Sequence, residues 1–111
     1  MLYVIGTPIG NLEDASYRAV RLLSEVDALA CEDTRHTRKL LQRYEIPAPR
    51  SLVSYHEHNE ASAGERILAL LAEGLKVAVC SDAGMPGVSD PGYRLVAACR
   101  ERALEVEVIP G

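Results

Sequence analysis

The sequence predicts an α/β domain: a five-stranded, mainly parallel sheet with helices on both faces. Two observations predict this fold. Five short apolar runs alternate with four amphipathic segments along the 111 residues, and such alternation is typical of parallel strands joined by crossover helices. Three of the five runs are apolar throughout, as strands in the middle of such a sheet are, because helices cover both of their faces.

The five predicted strands are the apolar runs at 2–5, 28–31, 51–54, 76–80 and 105–109. Strands 1, 2 and 4 contain the continuously apolar runs "LYVI", "ALAC" and "VAVC", which places them in the centre of the sheet. Strands 3 and 5 ("SLVS", "EVEVI") include polar residues, and edge strands tolerate these. The predicted sheet therefore has strands 1, 2 and 4 in the middle and strands 3 and 5 at its edges.

Four predicted helices connect these strands, at 16–25, 34–44 and 60–73 and from Pro91 onward. Each carries apolar residues at helical spacing: Ala19, Leu22, Leu23 and Val26; Leu40, Leu41 and Tyr44; Ile67, Leu68 and Leu71; Leu95, Val96 and Cys99. Gly74 follows the third helix, where glycine commonly ends one. Asp90 is a natural N-cap for the fourth helix, and Pro91 suits its first turn.

The composition indicates one globular domain, with 48% hydrophobic and 25% charged residues. The net charge of −4 gives no overall basic surface for nucleic acid, but five of the twelve basic residues lie between Arg35 and Arg50. No apolar run approaches the about 18 residues of a membrane span, and no signal peptide precedes the first strand. We therefore expect a cytoplasmic protein with no membrane segment, in which Cys31, Cys80 and Cys99 are buried free thiols.

Unusual polar clusters follow the strands rather than precede them. They are "GTPIGN" (6–11), "EDTRHT" (32–37), "YHEHNE" (55–60) and "SDAGMPGVSDPG" (81–92). In open α/β sheets, ligands bind at the carboxyl ends of the strands. The sequence therefore predicts a ligand site at this edge of the sheet.

The glycine-containing clusters favour a site where the backbone approaches a ligand. Gly84 and Gly87 leave backbone groups accessible, and Asp82 can hold a hydroxyl or an ammonium group. A loop that only caps the next helix would need no more than "SDPG". The preceding residues "DAGMPGV" exceed that need, which indicates that this segment is shaped to contact a ligand. "GTPIGN" fits either a ligand cradle or a tight turn, and it lacks the G-x-G-x-x-G spacing of dinucleotide sites.

The other two clusters offer charged groups. Asp33 or Thr34 would cap a helix whose first turns carry cations, and these cations would bind phosphate or form a solvated face. His56 and His58 would serve as a general base or a phosphate ligand, or would be ordinary loop residues. Because no third ligand has suitable spacing, we expect no metal site.

Four stretches together, "LYVIGTPIGNLEDASYRA", "EDTRHTRKLL", "SYHEHNE" and "SDAGMPGVSDPGYRLV", carry a family resemblance. In this order and spacing, the chain resembles the small-subunit ribosomal RNA methyltransferases of the tetrapyrrole methylase superfamily, which are class III S-adenosylmethionine (SAM) methyltransferases. The resemblance covers the whole chain without a departure. It implies a homodimer of two-domain subunits with SAM between the domains, of which residues 1–111 are the amino-terminal one. It also implies methyl transfer to the ribose 2′-oxygen of a cytidine in small-subunit ribosomal RNA.

The resemblance assigns cofactor binding to the two glycine-containing loops, and the chemistry of the reaction suggests further roles. The cofactor-binding residues would be Thr7, Pro8, Gly10, Asp82, Ala83, Gly84 and Met85. Candidates for the base are Asp33, His36 and His56. Candidates for contact with RNA phosphates are Arg35, Arg38 and Lys39.

Two other functions stay open on the residues alone. A porphyrin or corrin methyltransferase has the same fold, and its carboxylate-bearing substrate would also attract arginine. A non-catalytic nucleotide-binding module would lose SAM affinity, without a catalytic phenotype, when Asp82 or Gly84 is changed. In either methyltransferase we expect the isolated chain to be inactive, because one wall of the cofactor cleft would be missing.

Overall fold

The computed structural model describes residues 1–5, 17–32, 34–56, 59–80 and 92–109. The elements in chain order are β1 (Leu2–Ile5), α1 (Tyr17–Glu25), β2 (Ala28–Cys31), α2 (Thr34–Arg43), β3 (Ser51–Ser54), α3 (Glu60–Ala72), β4 (Val77–Cys80), α4 (Gly92–Glu101) and β5 (Val106–Ile109). The predicted elements are confirmed, with small differences at their ends. The predicted cap and first-turn residues of α4, Asp90 and Pro91, lie outside the described residues.

The five strands form one sheet in the order β3-β2-β4-β1-β5. All four strand pairings are parallel. The predicted centre and edges are therefore confirmed. Every residue of β2 and β4 is buried, whereas β3 and β5 are only partly buried, which matches the polarity of their sequences.

The helices pack in pairs on opposite faces of the sheet. One apolar cluster joins α3 and α4 to the sheet through residues that include Ile67, Leu95 and Cys99. The other joins α1 and α2 to the opposite face through residues that include Leu23 and Leu41. The chain moves from β1 outward to β3 and then back toward β5, and right-handed crossovers in opposite directions place their helices on opposite faces.

Gly74 ends α3 as the sequence predicts. Its φ is +86°, and its N–H donates to the carbonyl of Leu71 at 3.0 Å. The N–H of Leu75 donates to the carbonyl of Leu70 at 3.2 Å. These two bonds form a Schellman motif, which needs a left-handed residue at this position.

The three cysteines are buried thiols, as predicted. Burial raises the pKa of the Cys99 thiol above its ordinary value, so this thiol stays protonated and behaves as a small apolar side chain. Within the described ranges, no helix has the length and apolar character needed to cross a membrane.

Candidate functional site at the carboxyl edge of the sheet

The carboxyl ends of β1, β4 and β5 lie side by side. Ile5 is the register partner of Cys80 on one side and of Ile109 on the other. Neighbouring strands are about 4.8 Å apart, so the segments that follow β1 and β4 in the sequence start next to each other. These are the two segments in which the sequence predicts cofactor contacts.

The predicted cofactor residues themselves lie outside the described residues. They are Thr7, Pro8, Gly10, Asp82, Ala83, Gly84 and Met85. The structure therefore supports their assignment only through the neighbouring strand ends from which their segments start, and their individual roles stay predictions.

The ends of β2 and β3 form the second half of this edge. The N–H of Tyr55 donates to the carbonyl of Cys31 at 2.9 Å. The hydroxyl of Ser54 donates to the carbonyl of Glu32 at 3.3 Å. These bonds extend the pairing of β2 and β3 beyond the sheet, so the start of α2 and the turn after β3 lie side by side.

The order of the strands places a topological switch point between β2 and β4. The chain leaves β2 toward β3 and leaves β4 toward β5, in opposite directions along the sheet. Such a change of direction is where open α/β sheets bind ligands. A crevice at this point would have the ends of β1 and β4 on one side and the ends of β2 and β3 on the other.

Helix α2 presents a basic face to solvent at this edge. Arg35, Arg38 and Lys39 are exposed, and their spacing of three and four residues places them on neighbouring turns of one side. Thr37 and Leu41, on the inner side, are 2% and 1% exposed. Because α2 contains no acidic residue, its exposed surface is positively charged.

The turn after β3 is held by Asn59, which the sequence analysis did not single out. The side-chain Oδ1 of Asn59 accepts a hydrogen bond from the N–H of His56 at 2.8 Å. Its Nδ2 donates to the carbonyl of Ser54 at 2.6 Å. An asparagine just before a helix is a signal for such a turn, and that signal was available in "YHEHNE".

Two of the three candidate bases, His36 and His56, follow the neighbouring strands β2 and β3. His56 is half-buried in the turn after β3. His36 lies in the first turn of α2, although its side chain is not described. Asp33 and His58 lie outside the described residues. The backbone thus brings His36 and His56 to neighbouring strand ends, and which group acts as the base stays a prediction.

A groove between α3 and α4 opens beside this turn. It has a volume of about 160 Å³, and Tyr55, Glu60, Gly64 and Arg94 contribute to its lining. Burial, together with the negative charge of Glu60, raises the pKa of Tyr55 to about 12. Arg94 donates a hydrogen bond to the carboxylate of Glu60 across the groove. The sequence analysis did not anticipate this cluster.

The comparison with known families covers the complete chain. Residues 1–111 match the sequence profile of the tetrapyrrole (corrin/porphyrin) methylases. The chain belongs to this family. The resemblance noted in the sequence is therefore confirmed.

Within the described ranges, no group of three or more His, Cys, Asp or Glu side chains is arranged to hold a metal ion.

Several relatives of this chain share the name ribosomal RNA small subunit methyltransferase I. The relative from Halalkalibacterium halodurans is 52% identical over 110 residues, which are 99% of this chain and 37% of the relative. That from Thermotoga maritima is 52% identical over 99% of this chain and 49% of its own length. That from Escherichia coli O157:H7 is 50% identical over 99% of this chain and 38% of its own length. The chain thus spans less than half the length of these relatives.

Solved structures of tetrapyrrole methylases share the fold. Uroporphyrin III C-methyl transferase from Thermus thermophilus superposes with a TM-score of 0.71 at 22% identity, covering 99% of this chain and 47% of that one. A cobalt precorrin-4 methyltransferase superposes with a TM-score of 0.71 at 16% identity, covering 99% and 45%. At these identities the likeness concerns the fold alone.

Proposed function

We propose that this chain is part of a SAM-dependent methyltransferase that methylates the ribose 2′-oxygen of a cytidine in small-subunit ribosomal RNA. The observation that carries the proposal is the basic face of α2 beside the His56 turn, at the edge where the sheet also brings together the starts of the two glycine-containing segments. The names of relatives about 50% identical support small-subunit ribosomal RNA as the substrate.

The described strand ends fit a SAM site in chemical terms. Ile5, Cys80 and Ile109 are each at most 5% exposed, so the strand ends at this edge are apolar and buried in the core. Glycines that follow these strand ends would allow the backbone to approach an adenosine closely. Asp82, two residues after Cys80, would hold a hydroxyl or the ammonium group of the cofactor.

The basic face of α2 fits a polyanion. Arginine binds phosphate in bidentate fashion, and contacts with phosphate fix the register of a nucleic acid on a protein. Arg35, Arg38 and Lys39 would hold the RNA so that one ribose reaches the crevice. A tetrapyrrole, with a few carboxylates on a compact ring, does not need a track of three cations along a helix.

The reaction divides between the cofactor and the residues of the chain. SAM, when bound, supplies an electrophilic methyl group, which is transferred to the 2′-oxygen as the carbon–sulfur bond breaks and its electron pair passes to sulfur. The chain must hold the 2′-oxygen in line with that bond, because alignment provides much of the acceleration in such transfers. Asp33, His36 or His56 would accept the hydroxyl proton, directly or through water.

The partial coverage of the relatives leads to the rest of the proposal. Because the chain spans 37% to 49% of the three relatives compared above, residues 1–111 would be the amino-terminal domain of a two-domain protein. SAM would bind between the two domains, and the full-length protein would act as a homodimer in the cytoplasm.

The proposal is tested with the full-length protein and SAM tritiated in its methyl group. Unmethylated small ribosomal subunits and a uroporphyrinogen-type tetrapyrrole are offered as separate substrates. We expect label in RNA, within a dinucleotide that resists alkali, because 2′-O-methylation blocks cleavage of the adjacent phosphodiester. Label only in the tetrapyrrole would overturn the proposed substrate.

Substitution of the candidate residues separates catalysis from binding. Asp33→Asn, His36→Gln and His56→Gln are compared with Asp82→Asn and Gly84→Val. Among Asp33, His36 and His56, we expect the residue that acts as the base to show a fall in kcat, with unchanged SAM affinity, when it is substituted. Loss of SAM affinity in the Asp82 and Gly84 variants, in a protein that shows no methyl transfer to either substrate, would instead identify a binding module.

A further inference from the structure

Two ion pairs join α3 to α4 on the face of the sheet that these helices cover. Arg94 pairs with Glu60 where both helices begin. Arg102, just beyond α4, pairs with Glu65 at 3.9 Å. Both helices start at the carboxyl edge of the sheet, so the first pair lies at the candidate site and the second lies farther from it.

The two pairs differ in the burial of their carboxylates. The side chain of Glu60 is 19% exposed, whereas that of Glu65 is 74% exposed. Water and salt screen a mostly buried charge less than an exposed one. Loss of Arg94 would therefore leave a poorly hydrated charge on Glu60, whereas loss of Arg102 would leave Glu65 in water.

The position of Arg94 is unfavourable for its own helix. Arg94 lies in the first turn of α4, where the helix dipole repels a cation, and that turn contains no acidic residue. Glu60 lies in the first turn of α3, where the dipole attracts its carboxylate. Since Arg94 does not stabilise α4 through the dipole, its pairing acts mainly between the two helices.

The pair also borders the same groove as the residue that precedes His56. Tyr55 is 5% exposed and lines the groove between α3 and α4 together with Glu60 and Arg94. The backbone of Tyr55 is in turn tied to the end of β2. The start of α4, the ion pair and Tyr55 thus border one groove, beside the turn that carries His56.

We infer that the Glu60–Arg94 ion pair is a positioning contact that holds the start of α4 in a fixed place relative to the His56 turn. The chain that follows the predicted cofactor segment is first described at Gly92, two residues before Arg94. One consequence of this inference rests on the proposed function. We expect the pair to position the predicted cofactor-binding segment relative to the ribose. Methyl transfer is sensitive to such placement.

The test uses single charge-removing variants in the full-length protein. Glu60→Gln and Arg94→Gln remove the pair near the site, and Glu65→Gln and Arg102→Gln are matched controls between the same two helices. A double variant, Glu60→Arg with Arg94→Glu, restores an ion pair with its charges exchanged. Calorimetry gives the Kd for SAM, and thermal unfolding checks that each variant is folded.

We expect Glu60→Gln and Arg94→Gln each to raise the Kd for SAM about fivefold. The variant that carries both substitutions should raise this Kd no more than either substitution alone. The exchanged pair should recover most of the affinity, and the two controls should change it less than about twofold. A purely structural role would lower the unfolding temperature without this pattern in Kd. Unchanged affinity in both test variants, or equal losses in the controls, would overturn the inference.

A measurement without cofactor or substrate keeps the inference separate from the proposed function. Amide hydrogen exchange of the unliganded full-length protein is followed along α4 (Gly92–Glu101). We expect Glu60→Gln to accelerate exchange there about tenfold and Glu65→Gln to leave it unchanged. A wild-type protein that binds SAM but methylates no RNA would contradict the proposed function, while both measurements would still decide the role of the pair.

Discussion

The side-chain amide of Asn59 reaches back to the end of edge strand β3 and donates a hydrogen bond of 2.6 Å to the carbonyl of Ser54. The same side chain accepts a hydrogen bond from the backbone of His56. The backbone of Asn59 also accepts the N–H of Ala63 at 2.9 Å, within the first turn of α3. One residue thus connects the strand, the turn and the helix.

Replacement of Asn59 by aspartate should loosen this turn. Asn59→Asp keeps an oxygen for the N–H of His56 but places a second oxygen against the carbonyl of Ser54. We expect the free energy of unfolding to fall by about 1–2 kcal/mol and kcat on RNA to fall with little change in SAM affinity. Ser62→Ala is the control, because it removes only an exposed bond to the carbonyl of Asn59. Wild-type kcat in Asn59→Asp would show that the turn does not position a catalytic group.

Two glycines of the α3 region should respond to alanine in opposite directions. Gly74 has a φ of +86° and no atom within 4 Å of a new Cβ, so Gly74→Ala should cost about 1 kcal/mol for conformational reasons alone. A Cβ at Gly64 would meet Tyr55 at 4.0 Å, an ordinary contact. Gly64→Ala should therefore stabilise the helix by about 0.5–1 kcal/mol. Urea unfolding of both variants measures the two effects, and the same sign for both would contradict the assignment.

Tyr55 should make the stability of the protein depend on alkaline pH. Its pKa is raised from 10.0 to about 12, first by burial and then by the charge of Glu60. Above pH 10 the unfolded chain loses this proton more readily than the folded one, so the stabilising contribution is present below pH 10 and is lost as the pH rises toward 12. Two pKa units correspond to about 3 kcal/mol.

The matched variant for this pH dependence is Tyr55→Phe, which keeps the ring and removes the titrating hydroxyl. The free energy of unfolding of the wild type should fall more steeply between pH 10 and 12 than that of the variant. Parallel curves over this interval would mean that Tyr55 ionises equally well in the folded and unfolded chains.

The basic face of α2 should give RNA binding a measurable salt dependence. Each phosphate contact contributes about 0.7–0.9 to the slope of log K against log salt, so Arg38→Ala should reduce the slope by about that amount. Arg100→Ala removes the same charge from α4, on the opposite face of the sheet, and should leave the slope unchanged. Equal slopes for wild type and Arg38→Ala would show that Arg38 contacts no phosphate and that this face of α2 is a solvated helix surface.

The isolated chain should transfer methyl groups far more slowly than the full-length protein. The chain covers less than half of its relatives, and the proposed cofactor site lies between two domains. We expect SAM to bind to residues 1–111 weakly at most, as measured by calorimetry. Methyl transfer by the isolated chain at a rate near that of the full-length protein would contradict the two-domain site.

Much of the fold could be predicted from the sequence because it depends on local patterns of residues. Continuous apolar runs identified β2 and β4 as central strands, and polar residues identified β3 and β5 as edges. Gly74 indicated the end of α3 because the left-handed conformation strongly favours glycine. The location of the candidate site followed from the polar segments after the strands, since parallel strands bring their carboxyl ends to one edge.

The side-chain contacts were harder to predict from the sequence, because they join residues that are distant in it. Glu60 and Arg94 are 34 positions apart, and Arg18 on α1 pairs with Glu107 on β5 across 89 positions. No spacing rule predicts such pairs, since they depend on which helices share a face. The same holds for Tyr55, whose burial depends on the packing of α3 and α4 over the sheet.

The sequence by itself determined the succession of strands and helices, the polarity of each strand and the edge at which the chemistry collects, because these follow from side-chain periodicity and backbone preference. Only the tertiary structure decided which strand ends are neighbours, that the start of α2 lies beside the His56 turn, and that Glu60 pairs with Arg94 in a groove that Tyr55 also lines. These relations arise from the order β3-β2-β4-β1-β5, and that order is set by the combined burial of both faces of the sheet rather than by any single segment.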